Sequence, residues 1–595
     1  MLNFEHFKRL TLVVTLILLA SLILGCDSED ATKVPTEEPA AEVPATEVPA
    51  TEEPAPEPAE ETSITILIYA NPAEFHGFNI GSGLEETIGE MVMLSLAEVD
   101  PDGNYYPELA TEIPTLENGG VVMDEETWVT TVTWHLRDDI YWEDGEQVNV
   151  DDVIFTWEAM QDAEVWTASA DSIESLEKVD DFTLIVTYAW PEPEYVTTFG
   201  GENFFIYAEH FCDAEEGYWT WNCNSEPLSA GPYMLEEWVT DDHLTFVRNE
   251  NYYEDGKPYI DEVIFRVVPE ESVKRAIMDE GDADVHYWPA ENHAVSYQEE
   301  GNGTKFAVSP TDRWVMKLFF NTKSWGDTPY EETIPHAFLG DKRVSHALRM
   351  AIDVDTIIED IFLGFGQPVW TTFFRPPFNS CGIPRPAYDP EGAKALLKEA
   401  GWEDTDGDGV NECHGCLYAE EGDLMTAEYV IWSGYGETLE FAQQFIAEAW
   451  ADIGLQTELS MLEDAVLWAS PDEGGTELAG KFEIDMWDSG YSGVDPTGWL
   501  WDYYYYAEES EWNLANWTGE KAEEVGALID ELYTVDEDYR MEVFCYMAEI
   551  LEEELPYAEL FSTLEQFGLS ERLQGVKPTT FDILTWNVAD WTVTE

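Results

Sequence analysis

The segment Asp404-Thr405-Asp406-Gly407-Asp408-Gly409 has the residue types and spacing of a loop that binds a cation. Its three aspartates alternate with other residues and a glycine follows, which is how carboxylates wrap a calcium ion. Position 12 of a complete calcium loop is a bidentate glutamate, whereas this sequence has Gly415 there. We predict an incomplete calcium site at Asp404, Asp406 and Asp408, and the alternative is a tight turn without an ion.

Signatures of enzymatic catalysis are missing from the sequence. It has no His-Glu-x-x-His zinc motif and no Gly-x-x-x-x-Gly-Lys followed by Ser or Thr. The segment Gly490-Tyr491-Ser492-Gly493 approaches a serine nucleophile motif but lacks the second glycine at the required spacing. Carboxylate pairs suited to glycoside hydrolysis are uninformative in a chain with 125 Asp and Glu residues. We therefore predict a protein that is not an enzyme and that requires no cofactor apart from the calcium considered above.

The cysteines favour disulfide bonds. Six follow Cys26 in the chain, an even number that suits an exported protein. Cys212 and Cys223 flank a short loop, and we predict that they pair. The other four allow three pairings or, as an alternative, a structural zinc site: Cys381, Cys413, Cys416 and Cys545.

The composition describes an acidic globular protein. The chain has 595 residues, of which 44% are hydrophobic, and it is long enough for several domain-sized units. Asp and Glu outnumber Lys and Arg by 125 to 26, which gives a formal net charge of −99. A nucleic-acid partner is excluded because its phosphates would be repelled. This charge indicates either a solvated acidic surface or attraction of a cationic solute.

The first residues predict an exported lipoprotein. Lys8 and Arg9 precede an apolar run at 10–24, which is a typical signal-peptide core and short for a membrane span. The run ends in Gly25-Cys26, which resembles the bacterial lipoprotein cleavage site. We predict a signal peptide over 1–25, lipidation of Cys26, and anchoring to the outer face of the cytoplasmic membrane.

A disordered tether is predicted next, over 26–62 including the lipidated cysteine. Pro, Glu, Ala, Thr and Val make up almost all of this segment, and the unit Val-Pro-Ala-Thr-Glu occurs twice in succession at 43–52. Such a composition buries too little apolar surface to fold, and proline with self-repelling glutamate keeps the chain extended. The functional body therefore begins at residue 63.

The body has the periodicity of a mixed α/β protein. Alternating apolar residues at 131–137 predict a half-buried strand. Helices are predicted after Asp341, after Asp389-Pro390, and over 442–453, each with one apolar face. A strand follows at 456–462.

Several sequence blocks occur in an order that resembles a known family. They are Leu136-Arg137-Asp138-Asp139-Ile140-Tyr141-Trp142-Glu143-Asp144-Gly145 with Val150-Asp151-Asp152-Val153, Ala230-Gly231-Pro232-Tyr233, Val247-Arg248-Asn249-Glu250-Asn251-Tyr252, Gly281-Asp282-Ala283-Asp284-Val285, Arg343-Val344 with Ala347-Leu348 and Ala351-Ile352-Asp353, and the segment from Asp389 to Trp402. Together they resemble the family 5 extracellular solute-binding proteins, the oligopeptide, dipeptide and nickel type that serves bacterial ABC importers.

The resemblance implies an α/β fold of the two-lobe periplasmic-binding-protein type II, with an extra inserted subdomain. By analogy, lobe I would hold about 63–100, 228–312 and 562–595, and lobe II about 313–561. The inserted subdomain would be about 101–227. The resemblance further implies a monomer that encloses a solute between its lobes and delivers it to ABC permease subunits.

The resemblance places the ligand loop of lobe II at 487–495. Peptide-binding members carry an aspartate three residues before the acid of an Asp-Pro pair, which binds the peptide ammonium. Here the pair is Asp495-Pro496, so Ser492 occupies that position, and Asp488 is the first substitute for the missing carboxylate. The predicted ligand-binding residues are Trp487, Asp488, Tyr491, Ser492 and Asp495.

The sequence does not identify the solute. Acidic groups beside the aromatic faces of Trp487 and Tyr491 favour neutral polar or cationic solutes, and such faces also suit sugar rings. A peptide or an oligosaccharide therefore fits the same loop. The alternatives to a solute-binding protein are a secreted carbohydrate-active enzyme and a calcium-dependent surface adhesin.

Overall fold

The computed structural model describes most of the chain after the predicted tether. The described residues are 62–72, 74–75, 83–124, 128–162, 172–201, 204–213, 217–298, 303–309, 314–323, 334–469, 475–477, 479–491, 494–506, 512–581 and 583–594. The predicted signal peptide, Cys26 and almost all of the tether lie outside them, as does Ser492. Among the described residues, no helix is both long and apolar enough to cross a bilayer.

The secondary structure is mixed, which confirms the predicted α/β class. The strands are β1 Ser63–Ile68, β2 Ala97–Val99, β3 Tyr105–Pro107, β4 Val121–Met123, β5 Thr130–His135, β6 Ile173–Asp180, β7 Thr183–Tyr188, β8 Tyr233–Val239, β9 His243–Arg248, β10 Glu262–Val267, β11 Val285–Tyr287, β12 Thr304–Val308, β13 Trp314–Phe320, β14 Gly366–Pro368, β15 Trp402–Glu403, β16 Glu412–Cys413, β17 Thr426–Trp432, β18 Gln456–Leu462, β19 Ile484–Gly490, β20 Tyr557–Thr563, β21 Gln566–Ser570, β22 Leu573–Gln574 and β23 Thr592–Val593.

The helices include those expected from the sequence. They are α1 Gly83–Gly89, α2 Val150–Asp162, α3 Glu271–Glu280, α4 Glu291–Tyr297, α5 Lys342–Met350, α6 Val354–Thr356, α7 Pro390–Glu399, α8 Gly436–Asp452, α9 Asp464–Leu467, α10 Thr497–Tyr504, α11 Glu520–Glu531 and α12 Glu537–Glu554. The carboxylates of Asp341 and Asp389 cap α5 and α7 by accepting backbone N–H groups of Arg343 and Gly392. These caps satisfy donors that the first helical turn leaves open.

Two large sheets form the body. The first has the order β12-β21-β11-β1-β10-β9-β8, with β1 parallel to both β10 and β11. The second has the order β14-β20-β13-β19-β17-β18, with β17 parallel to both β18 and β19. A smaller sheet, β4-β5-β7-β6, lies between β3 and β8 in the chain and shares its hydrophobic core with the first large sheet.

The chain crosses between the two large sheets twice. It leaves the first sheet after Val308 and enters the second at Trp314, and it returns between Thr563 and Gln566. The crossings lie side by side, because Ser309 N donates to Glu565 O at 3.0 Å and Glu565 N donates to Ser309 Oγ at 3.0 Å. This double connection is typical of two bodies that move about a hinge.

The second sheet is covered by helices on both faces. Leu318 belongs to the cluster that includes residues of α5, α7 and α8, whereas its neighbour Phe319 belongs to the cluster that includes residues of α10, α11 and α12. Successive side chains of a strand point to opposite faces, so β13 contributes to both cores. Residues of β13, β19 and α10 therefore meet on the Phe319 face.

The structure pairs all six cysteines that follow Cys26. The pairs are Cys212–Cys223, Cys381–Cys545 and Cys413–Cys416. This arrangement leaves no second cysteine pair for the alternative zinc site. The second pair joins the segment before α7 to α12, which are 164 residues apart in sequence, whereas the third pair closes a separation of 3 residues.

We expect the Cys381–Cys545 bond to stabilise the fold most strongly, because a longer closed loop removes more entropy from the unfolded chain. Replacing both cysteines by alanine should lower the free energy of unfolding by about 3–5 kcal/mol. The Cys413→Ala/Cys416→Ala variant is the matched control and should change it by less than about 2 kcal/mol. Urea denaturation under non-reducing conditions measures both, and an equal loss in the two variants would contradict the prediction.

Candidate functional site

The predicted ligand loop joins β19 to α10. Trp487 and Asp488 lie in β19, Tyr491 follows the strand directly, and Asp495 lies two residues before α10. Trp487 and Tyr491 are buried, and Asp488 is half-buried. Four of the five predicted residues thus lie in β19 or within the described residues between β19 and α10.

Asp495 positions the loop. Its carboxylate accepts hydrogen bonds from Thr497 N at 3.0 Å and from Thr497 Oγ1 at 2.7 Å, and it forms an ion pair with Arg540 Nη2 at 2.6 Å. Arg540 is on α12, and both side chains are largely buried. These bonds fix where α10 begins, so the Asp495 carboxylate already has partners before any solute binds.

Tyr491 is held by a second buried arginine. Arg375 Nη2 donates to the Tyr491 carbonyl, and the guanidinium carbon lies 4.0 Å from the centre of the Tyr491 ring. Arg375 Nη1 also donates to the carbonyl of Thr580 at 3.4 Å. Burial raises the pKa of Tyr491, and the Arg375 charge opposes that rise. Arg375 therefore connects the loop to the chain segment that follows the return crossing.

The part of the chain that carries the small sheet reaches the same loop. The Tyr105 hydroxyl lies beside the backbone of Val494, and the carboxyl of Glu194 accepts the N–H of Gly498 in the first turn of α10. Burial first, and then the charges of Asp495 and Glu192, hold the pKa of Glu194 well above its ordinary range. Residues from three regions of the chain thus meet around 490–498.

Trp487 lies within a packed aromatic cluster. Its ring stacks on Phe319 with centroids 4.8 Å apart, and Trp468 packs edge-on against it at 4.8 Å. The rings of Trp499 and Tyr503, both on α10, stack on each other at 4.7 Å. This cluster forms the wall of the loop on the Phe319 face of the second sheet.

The sequence predicted no role for Arg375, Arg540, Glu194 or Tyr105, and it also missed Lys317. Lys317 lies on β13 opposite Trp487, is only 2% exposed, and places Nζ 4.3 Å from the centre of the Trp499 ring. Burial lowers the pKa of Lys317 to about 8, while the charges of Glu559 and Asp488 raise it. The available signal was a single lysine inside the apolar run 315–320.

The predicted calcium loop adopts a compact turn. Ligand atoms of Asp404, Asp406 and Glu412 all lie within 4.8 Å of one another. Asp408, which the sequence predicted as the third ligand, is not part of this group, and the carboxylates of Asp404, Asp406 and Asp408 all accept backbone N–H groups of the turn. Three carboxylates in this arrangement suit a hard cation such as calcium, with Glu412 in place of Asp408. Calcium binding itself stays a prediction.

Comparison with known proteins defines the family. The family model described as "Bacterial extracellular solute-binding proteins, family 5 Middle" matches residues 104–511. This match covers more than half of the chain, so the chain belongs to that family.

Two curated relatives show the range of proteins to which the chain is similar. The oligopeptide-binding protein AppA of Bacillus subtilis is 23% identical over 370 residues, which are 60% of this chain and 63% of AppA. The nickel-binding periplasmic protein of Escherichia coli is 27% identical over 346 residues, or 55% of this chain and 58% of that protein. The aligned regions therefore span less than two thirds of each relative.

The fold is shared over a greater length than the sequence. The crystal structure of NikA from Brucella suis in complex with Fe(III)-EDTA superposes with a TM-score of 0.73 at 18% identity, over 90% of this chain and 100% of that chain. This likeness confirms the predicted two-lobe solute-binding fold. The lobe boundaries inferred from the resemblance stay predictions.

Glu194 predicts a pH-dependent contribution to stability. In the unfolded chain this carboxyl ionises near its ordinary pKa, whereas in the folded protein it keeps its proton to higher pH. The native state therefore binds more protons between these two values, and stability falls as pH rises through that interval. A neutral amide at this position removes the penalty.

We expect Glu194→Gln to raise the free energy of unfolding at pH 7.5 by about 1–3 kcal/mol and to leave it unchanged near pH 4. Urea denaturation at both pH values measures the difference. Glu177→Gln, an exposed change on β6, is the control and should have no effect at either pH. A Glu194→Gln gain that is the same at both pH values would contradict the argument.

Proposed function

We propose that this protein is the extracytoplasmic solute-binding subunit of an ABC importer, which captures a small solute and delivers it to membrane permease subunits. The observation that carries the proposal is the match to the family 5 solute-binding model over 104–511. The site agrees with it, because buried polar and aromatic groups from three regions of the chain surround one loop. Enclosure between two bodies allows a solute to be buried and then released.

The proposed solute is a peptide, an oligosaccharide or another small polar molecule, bound without chemical change. Trp499 and Tyr503 offer stacked aromatic faces that suit sugar rings or aromatic side chains. The proposal therefore includes no catalytic role, and it assigns calcium, if bound at Asp404, Asp406 and Glu412, a structural one. Binding is proposed for the monomer.

Solute pools test this function directly. Purified protein is incubated with a pool of di- to pentapeptides or with a pool of oligosaccharides, and thermal unfolding and native mass spectrometry are recorded. We expect one pool to raise the midpoint of unfolding and to give an adduct of one solute per chain. The solute released on denaturation should have an unchanged mass.

Two outcomes would contradict the proposal. Shortened peptides or sugars in the supernatant would show turnover and favour an enzyme. If neither pool stabilises the protein or forms an adduct with it, the result contradicts binding of both proposed solute classes. A protein boiled before incubation is the control for non-specific adducts.

We further propose that the mature protein is held at the outer face of the cytoplasmic membrane by lipids on Cys26. Two or three acyl chains bury enough CH₂ groups to anchor a protein stably. Cys26→Ser should move the protein from the membrane to the soluble fraction of its host. Fractionation after a carbonate wash measures this, and a Cys26→Ser protein that stays with the membrane would contradict the anchor.

A further inference from the structure

The ammonium of Lys317 is a buried cation without an ion-pair partner among the described residues. Lys317 is 2% exposed, and its ammonium lies 4.3 Å from the centre of the Trp499 ring and 5.9 Å from that of Tyr503. Moving an unpaired ammonium out of water is costly, and contact with an aromatic face offsets only part of that cost. An anionic group in direct contact with the ammonium would therefore stabilise this site.

Two other hydrogen-bond donors in the same aromatic wall also lack an acceptor. The indole N–H groups of Trp487 and Trp499 are buried and have no hydrogen-bond partner among the described residues. Trp487 is the register partner of Lys317 across β13 and β19, and Trp499 lies over its ammonium. An ammonium and two N–H donors on adjoining residues are thus all without an acceptor among the described residues.

Unpartnered indoles alone would be weak evidence. Trp134, Trp157 and Trp238 also have buried N–H groups without an acceptor, and in the described part of the chain no Lys or Arg is stacked on those rings. At Trp499 the unpartnered donor and the buried cation occur together. This combination indicates a missing acceptor group that carries negative charge.

The two carboxylates near Lys317 do not supply this missing acceptor. Glu559, its register partner on β20, accepts a hydrogen bond from Thr372 Oγ1 at 2.6 Å, and no ion pair joins it to Lys317. Asp488 is the partner of Met316, one position along β13, and is half-buried. Burial lowers the pKa of Lys317 to about 8 and the charges of these two carboxylates oppose that shift, so the ammonium is mostly charged at pH 7.

We propose that Lys317, with the indole N–H groups of Trp487 and Trp499, binds a carboxylate group of the solute. This inference rests on the proposed solute-binding function and narrows it to solutes that carry a carboxylate, such as a peptide with a free C-terminus or an oligosaccharide with a uronic acid. The large negative charge of the protein disfavours polyanions at long range, so one carboxylate on an otherwise neutral or zwitterionic solute fits best.

Matched pools that differ only in the carboxylate test the proposal. One pair is a pool of di- to pentapeptides as free acids and the same peptides as C-terminal amides. The other pair is a pool of oligouronates and the corresponding neutral oligosaccharides. Affinity is measured by calorimetry and by the shift in thermal unfolding at pH 7.

We expect the unaltered protein to bind the acid member of one pair about 10- to 100-fold more tightly than its neutral counterpart, which is the range for a charged hydrogen bond. Lys317→Met keeps the length of the side chain and removes its charge, so it should reduce this ratio to about 1–3. Trp499→Phe keeps an aromatic face and removes one donor, so it should reduce the ratio several-fold. Lys394→Met, on the surface of α7, is the control and should leave the ratio unchanged.

The ratio measured on the unaltered protein does not depend on whether a variant folds. Equal binding of acid and neutral members, or binding of neutral members alone, would overturn the carboxylate site and leave the solute-binding function intact. A Lys317→Met protein that folds and keeps the full acid preference would also overturn it. Failure of all four pools to bind would instead contradict the proposed function.

Discussion

The buried ion pair between Asp495 and Arg540 holds the loop on which the candidate site is built. Removing one partner of such a pair typically costs 3–5 kcal/mol, because the other charge is left unpaired in a poorly polarisable interior. The pair ties the start of α10 to α12. It thereby sets where α10 places Trp499 and Tyr503, and these rings cover the ammonium of Lys317. The chemistry of the site therefore depends on an ion pair that links its loop to α12.

The same loop is also where separate regions of the chain meet. Arg375 bonds both Tyr491 and Thr580, and Glu194 bonds Gly498 from the region that carries the small sheet. A change in the loop would therefore disturb all of these contacts together. The two adjacent crossings at 308–314 and 563–566 provide the covalent connection about which the sheets could move. Solute binding and movement of the two sheets would then both involve the contacts around this loop.

Local features of the fold could be predicted because they depend on nearby residues. Asp341 and Asp389 cap their helices as their positions before apolar periodic segments indicated, and 456–462 is a strand. The order of the motif blocks identified the family, which the family model then showed. The candidate site was less predictable. The sequence placed the loop at 487–495, but it presented Asp495 as a ligand group and gave Lys317 no role.

The sequence by itself determined the acidity, the helices and strands with strong periodicity, and membership of a solute-binding family, because composition and local spacing encode all of these. Tertiary structure decided which charges are neutralised. Asp495 finds Arg540 on a helix 45 residues later, whereas Lys317 is enclosed by aromatic rings from a helix more than 180 residues away. Burial and pairing of a charge depend on which distant segments pack around it, and no local pattern in the chain specifies that packing.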